Sequence, residues 1–154
     1  MESDIIRFLE KQNFVIVTTI DKRGRLHNSC KGIVKIGRNG QIHLLDLYEG
    51  RTQENLRRNS NISITAVDEH KFEGYSLKGR ARIMEIDEIK SRHIRTWEKK
   101  ISDRITHRII KNIHGEKGHS RHPEALLPKP KYLISMKVEE IIDLTPHYLK
   151  EESR

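Results

Sequence analysis

The chain has 154 residues and a mass of 18.1 kDa, with 34% charged residues, 34% hydrophobic residues and a formal net charge of +8. This length suits one domain, residues 1–154, around one core. The apolar residues fall in blocks that argue against global disorder, and no run approaches the ~18 apolar residues of a membrane span. The single cysteine, Cys30, excludes an intrachain disulfide and Cys-based zinc patterns. Glu2, Asp4, Arg7, Glu10 and Lys11 leave no apolar stretch for a secretory signal, so a reducing cytoplasm is the expected compartment.

Ser3 to Gln12 reads as a short amphipathic helix capped by Ser3, with Ile5, Ile6 and Leu9 on one face. Phe14 to Ile20 is rich in β-branched residues and reads as a strand, closed by a turn at Asp21-Lys22-Arg23-Gly24. Leu26 to Ile36 is a second strand. Gly37-Arg38-Asn39-Gly40 is a hairpin turn, because Asn-Gly tolerates positive φ, and Gln41 to Leu47 returns as a third strand. Thr52 to Asn59 reads as a short helix capped by Thr52. Asn61 to Val67 and Tyr75 to Ile83 alternate as strands. In the second of these, Lys78, Arg80 and Arg82 share the face opposite Tyr75, Leu77 and Ala81.

From Asp87 to Ile113 the period becomes helical, with Ile89, Ile94, Trp97, Ile101, Ile105, Ile109 and Ile113 in one stripe. Ser102-Asp103 is placed to split this into two helices, and Trp97 to serve the core or a dimer contact. A polar loop follows over about 115–130. Lys131 to Leu144 is a final strand, and the charged tail after Pro146 is expected to fray. The order predicts a mainly β, α+β fold: a six-stranded antiparallel barrel with a helical insertion at about 87–113, before the last strand.

Chemistry concentrates at Leu47-Tyr48-Glu49-Gly50-Arg51-Thr52, where a strand ends and a helix starts. A helix N-terminus with an Arg and a hydroxyl suits a phosphate; an ordinary capped helix with a surface Arg has the same pattern. Lys78, Arg80 and Arg82 either join Lys31 and Arg51 in a basic cleft or form a solvated outer face. Cys30 reads as a small buried residue. His107, His114, His119 and His122 read as solvated histidines rather than a metal or heme site, since no carboxylate or Cys completes a ligand set. No side chain stands out as a catalytic acid, base or nucleophile.

Arg51-Thr52-Gln53-Glu54-Asn55-Leu56-Arg57-Arg58-Asn59, the strand from Asn61 to Val67 and Leu77-Lys78-Gly79-Arg80-Ala81 together resemble the FMN-binding split-barrel family of pyridoxamine 5′-phosphate oxidase-like flavoproteins. So do Phe14 to Thr19 with Gly24-Arg25-Leu26-His27-Asn28-Ser29, and Lys131-Tyr132-Leu133-Ile134 with Val138-Glu139-Glu140-Ile141. The resemblance covers about 1–86 and 131–145. It implies a homodimeric six-stranded split barrel with FMN in clefts at the dimer interface. It further implies that Arg51 and Thr52 bind the FMN phosphate, that Asn28, Ser29, Cys30 and Lys31 line the flavin ring, and that Leu45, Asp46 and Leu47 also contact it. Asp46 stands where a neutral residue is expected.

The segment Ile141-Ile142-Asp143-Leu144-Thr145-Pro146-His147-Tyr148 lacks the aromatic- and arginine-rich end of the true B6 oxidases. A broader flavin-dependent oxidoreductase, acting on an unidentified small molecule or electron donor, is therefore the implied activity. The alternative is a non-catalytic module: a flavin or heme store or sensor, or a nucleic-acid binder using the +8 charge. Only 5% of residues are aromatic, and none interleave with basic residues as a stacking surface requires, which argues against nucleic acid.

Overall fold

The computed structural model describes residues 1–46, 49–116, 118 and 130–151. Helix α1 (Ser3–Lys11) leads into β1 (Val15–Ile20), β2 (Leu26–Ile36) and β3 (Gln41–Asp46). Then come α2 (Arg51–Arg58), β4 (Asn61–Asp68), β5 (Glu73–Glu85), a 3-10 turn (Ile86–Glu88), α3 (Ser91–Ile113), β6 (Tyr132–Asp143) and α4 (His147–Glu151). The six strands close into an antiparallel barrel in the order β1-β2-β3-β6-β5-β4, with the helical segment before the last strand, as the sequence predicts.

Period-two alternation decides what each strand buries. Val15 and Val17 of β1, Ile42 and Leu44 of β3, and Ile62, Ile64 and Ala66 of β4 fill the barrel, together with Leu77 of β5 and Ile134 and Met136 of β6. The intervening residues Val34, Leu45 and Leu133 point outwards. They form a second apolar cluster with Ile89, Trp97 and Ile101, which seats α3 on the barrel wall. β6 is therefore buried on both faces over its first half. The β2–β3 turn needs positive φ at Gly40 (+79°), and the Gly37 N–H donates to the Gln41 carbonyl at 2.7 Å. At Gly79 the β5–β6 register shifts, and a Cβ there would stand 2.0 Å from the Lys137 carbonyl oxygen, so only glycine fits.

Several local expectations are corrected. α1 buries Ile5, Phe8 and Leu9, and Ser3 does not cap it; Glu2 holds the cap position and the Ser3 hydroxyl bonds Asp4 instead. Thr52 does not cap α2: Gly50 precedes the helix and Thr52 turns inward. α3 runs unbroken through Ser102-Asp103. The tail after Pro146 forms α4, and Cys30 is exposed.

Candidate functional site

Three strands bring Lys31, Asp46 and Tyr132 onto one row, because β3 pairs with both β2 and β6. The Lys31 ammonium pairs with Asp46 Oδ2, with side-chain exposures of 14% and 5%. The Tyr132 hydroxyl donates to the same carboxylate oxygen at 2.5 Å. Burial, and then the hydrogen bond to the Asp46 carboxylate, pushes the Tyr132 hydroxyl far above its ordinary value. A buried carboxylate needs such partners, and removing one leaves the other charge uncompensated.

Helix α2 closes the barrel next to this row through polar contacts. The Ser29 and Thr52 hydroxyls lie 2.9 Å apart, and Asn55 Nδ2 donates to the Thr19 hydroxyl at 3.0 Å. Leu56 adds the apolar anchor. On the opposite face of β2, Asn28 accepts a bond from the Thr18 hydroxyl at 2.8 Å.

Two hollows flank these elements. The first, about 810 Å³, lies between β2 and α3. Phe14, Leu45 and Trp97 give it apolar walls, and Cys30, Lys31 and Asp46 line it. α3 adds Lys100, Arg104 and Arg108, spaced by four residues and so on one helical face. Lys100 Nζ donates to the Ile33 carbonyl at 2.9 Å, and its burial lowers its pKa. Arg104 lies over Gly32, where a Cβ would be 3.2 Å from Nη1, and that nitrogen donates to the Asn13 carbonyl at 3.0 Å.

The second hollow, about 900 Å³, lies between the β1–β2 turn and α2. Arg23, Arg25, Arg51, Arg57 and Arg58 line it. Arg25 is held by Asp21, Arg57 by Glu85, and Arg58 by Asn55. Arg51 makes no side-chain hydrogen bond or ion pair among the described residues, and no side chain caps the helix it opens.

The structure thus brings Cys30, Lys31, Leu45 and Asp46 together in one hollow and sets Arg51 in the other, with the Ser29–Thr52 contact between strand and helix. Asn28 lines neither. Lys78 also lies apart, paired with Glu140 at 3.3 Å; Arg80 and Arg82 face Glu139 and Glu88 on the same outer surface. Leu47 lies outside the described residues, as do His119 and His122. His107 lines the first hollow, and His114 follows α3. Among the described residues no group of three His, Cys, Asp or Glu is placed to hold a metal ion. Sequence reasoning missed Lys100, Arg104, Tyr132 and Asn55. The four-residue spacing of Lys100, Arg104 and Arg108 was the available signal for the first two.

A closed antiparallel barrel of six strands, with a helix laid on its outer wall before the last strand, defines the split-barrel class. The chain belongs to the pyridoxamine 5′-phosphate oxidase family, whose model matches residues 1–143. Among solved structures it resembles HupZ of Group A Streptococcus, with 20% identity over 94% of this chain and 95% of that one, and a TM-score of 0.62. It also resembles HutZ of Vibrio cholerae, described as a heme storage protein, with 17% identity, 92% of both chains covered and a TM-score of 0.54. A Clostridium acetobutylicum protein related to general stress protein 26, of the pyridoxinephosphate oxidase family, gives 16% identity over 95% of this chain and 94% of that one, with a TM-score of 0.57. No curated protein matches. At these identities the structural likeness speaks for the fold. No helix among the described residues is long and apolar enough to cross a membrane.

Proposed function

We propose that this protein binds FMN and acts as a flavin-dependent oxidoreductase. The observation that carries the reading is Arg51: a guanidinium with no side-chain partner among the described residues, at the first position of an uncapped helix, in a hollow lined by four further arginines. A dianionic phosphate matches that donor set, which riboflavin cannot engage. The residues therefore fit FMN at its phosphate end. Ser29 and Thr52 would position the strand and helix that flank the phosphate, and Lys31 supplies a cation fixed by Asp46 at the edge of the apolar hollow. When bound, the flavin supplies the electron and hydride chemistry.

The proposed assembly is a homodimer. Phe14, Ile16 and Leu26 are 61%, 44% and 75% exposed on and beside β1 and β2, an apolar strip suited to a second copy. The test is the visible absorption spectrum of the purified protein with and without added FMN. Flavin bands that persist through desalting support the proposal. A heme spectrum with no flavin uptake would instead support a storage module, the reading to which the likeness to HutZ points.

A further inference from the structure

Two histidines that play no part in the proposed site touch under the start of α3. His43 lies on the outward face of β3 and His93 in the first turn of α3, with ring centroids 4.7 Å apart and planes at 62°. His93 is 3% exposed. Its Nδ1 and Nε2, and Nδ1 of His43, are buried without a hydrogen-bond partner among the described residues. Buried polar atoms are rarely left so, and each carries a desolvation cost.

The surroundings determine what the pair can do. Strand pairing sets Lys35, His43, Ser135 and Arg82 in one row across β2, β3, β6 and β5. Lys90 and Arg92 come from the start of α3, and Ser135 is neutral and accepts a bond from Gln41. Glu88 is engaged with Arg82 at 3.7 Å and with the Glu85 N–H at 2.9 Å. The charges acting on the imidazoles are thus cationic: Lys35, Arg82 and Arg92 on His43, and Arg92, Lys35 and Lys90 on His93. Such a row also opposes a metal cation, although two imidazoles adjoin.

We propose that the His43–His93 contact is an acid-released latch: protonation of these imidazoles frees the first turns of α3 from the barrel and opens the hollow between α3 and β2. The docked form holds both rings neutral. Burial first, then the adjoining His93 ring and the neighbouring cations, lower His43 from 6.5 to about 4; burial and then the cations lower His93 as well. A base with a depressed value in the docked state favours docking at high pH. For His43 the preference for docking is full above 6.5 and weakens as pH falls from there towards 4, by up to about tenfold per pH unit, and His93 acts in the same direction.

Trp97, the chain's one tryptophan, is buried in the cluster that seats α3 and reports on it directly. The experiment follows Trp97 emission and acrylamide quenching of ligand-free protein from pH 7.5 to 3.5, with far-UV circular dichroism of the barrel alongside. A red shift and increased quenching that begin below pH 6.5 and precede strand loss are expected. The double variant His43→Phe/His93→Phe keeps the ring contact without the charge and should remove the early phase, lowering the Trp97 midpoint to the pH of strand loss. If that variant does not fold, Lys35→Gln at an exposed position should shift the midpoint the same way by a smaller amount. A wild-type Trp97 transition that coincides with strand loss overturns the latch, as does a midpoint unmoved in the double variant or, where that does not fold, in Lys35→Gln. No flavin is present, so the outcome is independent of whether the protein binds FMN.

Discussion

Replacing Arg51 with alanine separates a phosphate-binding residue from an ordinary surface arginine. Arg51 is exposed and makes no side-chain bond among the described residues, so its loss should change stability by no more than about 0.5 kcal/mol. With FMN bound, its guanidinium would hold a phosphate by charge-assisted contact, worth about 1.5–3 kcal/mol. That range corresponds to roughly tenfold to a hundredfold in Kd. The lower end is expected, because the hollow is open to water and Arg23, Arg25, Arg57 and Arg58 remain to attract the phosphate. The assay is titration by flavin fluorescence, with FMN and riboflavin in parallel at one ionic strength, on wild type and Arg51→Ala. FMN should weaken about tenfold while riboflavin barely changes. An unchanged FMN-to-riboflavin ratio would refute the reasoning and move the phosphate away from α2.

Asp46→Asn should destabilise the fold by about 3–5 kcal/mol, since it strands the Lys31 charge beside the barrel. Adding Lys31→Met should recover much of this in urea denaturation. Gly79→Ala should cost at least about 1–3 kcal/mol, because its Cβ meets a backbone carbonyl that cannot rotate away; an unshifted denaturation midpoint would contradict the close approach. Light scattering should give a mass of twice 18.1 kDa, and Ile16→Asp on the exposed strip of β1 should shift it towards the monomer. A wild-type monomer at micromolar concentration would count against the dimer.

The strands were legible because their burial is local. Ile62, Ile64 and Ala66 alternate with Ser63 and Thr65, and the parity of β4 follows without further information. Where the sequence misled, a distant element had set the environment. Cys30 suits a buried position by its chemistry, yet Ser29 and Lys31 turn towards α2 and Asp46, so Cys30 must face out. Thr52 is a good cap by type, but Ser29, twenty-three positions earlier, takes its hydroxyl instead. Ser102-Asp103 favours a break locally, whereas Trp97 and Ile101 dock on Val34, Leu45 and Leu133 and carry the helix through. Leu133 points away from the barrel interior and is still fully buried, because α3 covers that face. At the candidate site, Arg51 was legible from its place before a helix. The Lys31–Asp46–Tyr132 row and the His43–His93 contact were not, since each needs strand register or helix docking that no short motif encodes.

The place of β6 in the barrel has a kinetic consequence. It is the strand between β3 and β5, and its bond between Gln41 and Ser135 spans 94 positions. During synthesis, β1 to β5 leave the ribosome before it, and until β6 follows, β3 and β5 present open edges with unpaired N–H and C=O groups. Leu133 and Met136 arrive in the same segment, so α3 lacks part of its seat and the barrel part of its filling over the same interval. Closing so long a loop is entropically costly, which predicts slow final folding and an interval in which the nascent chain is most open to edge-to-edge association.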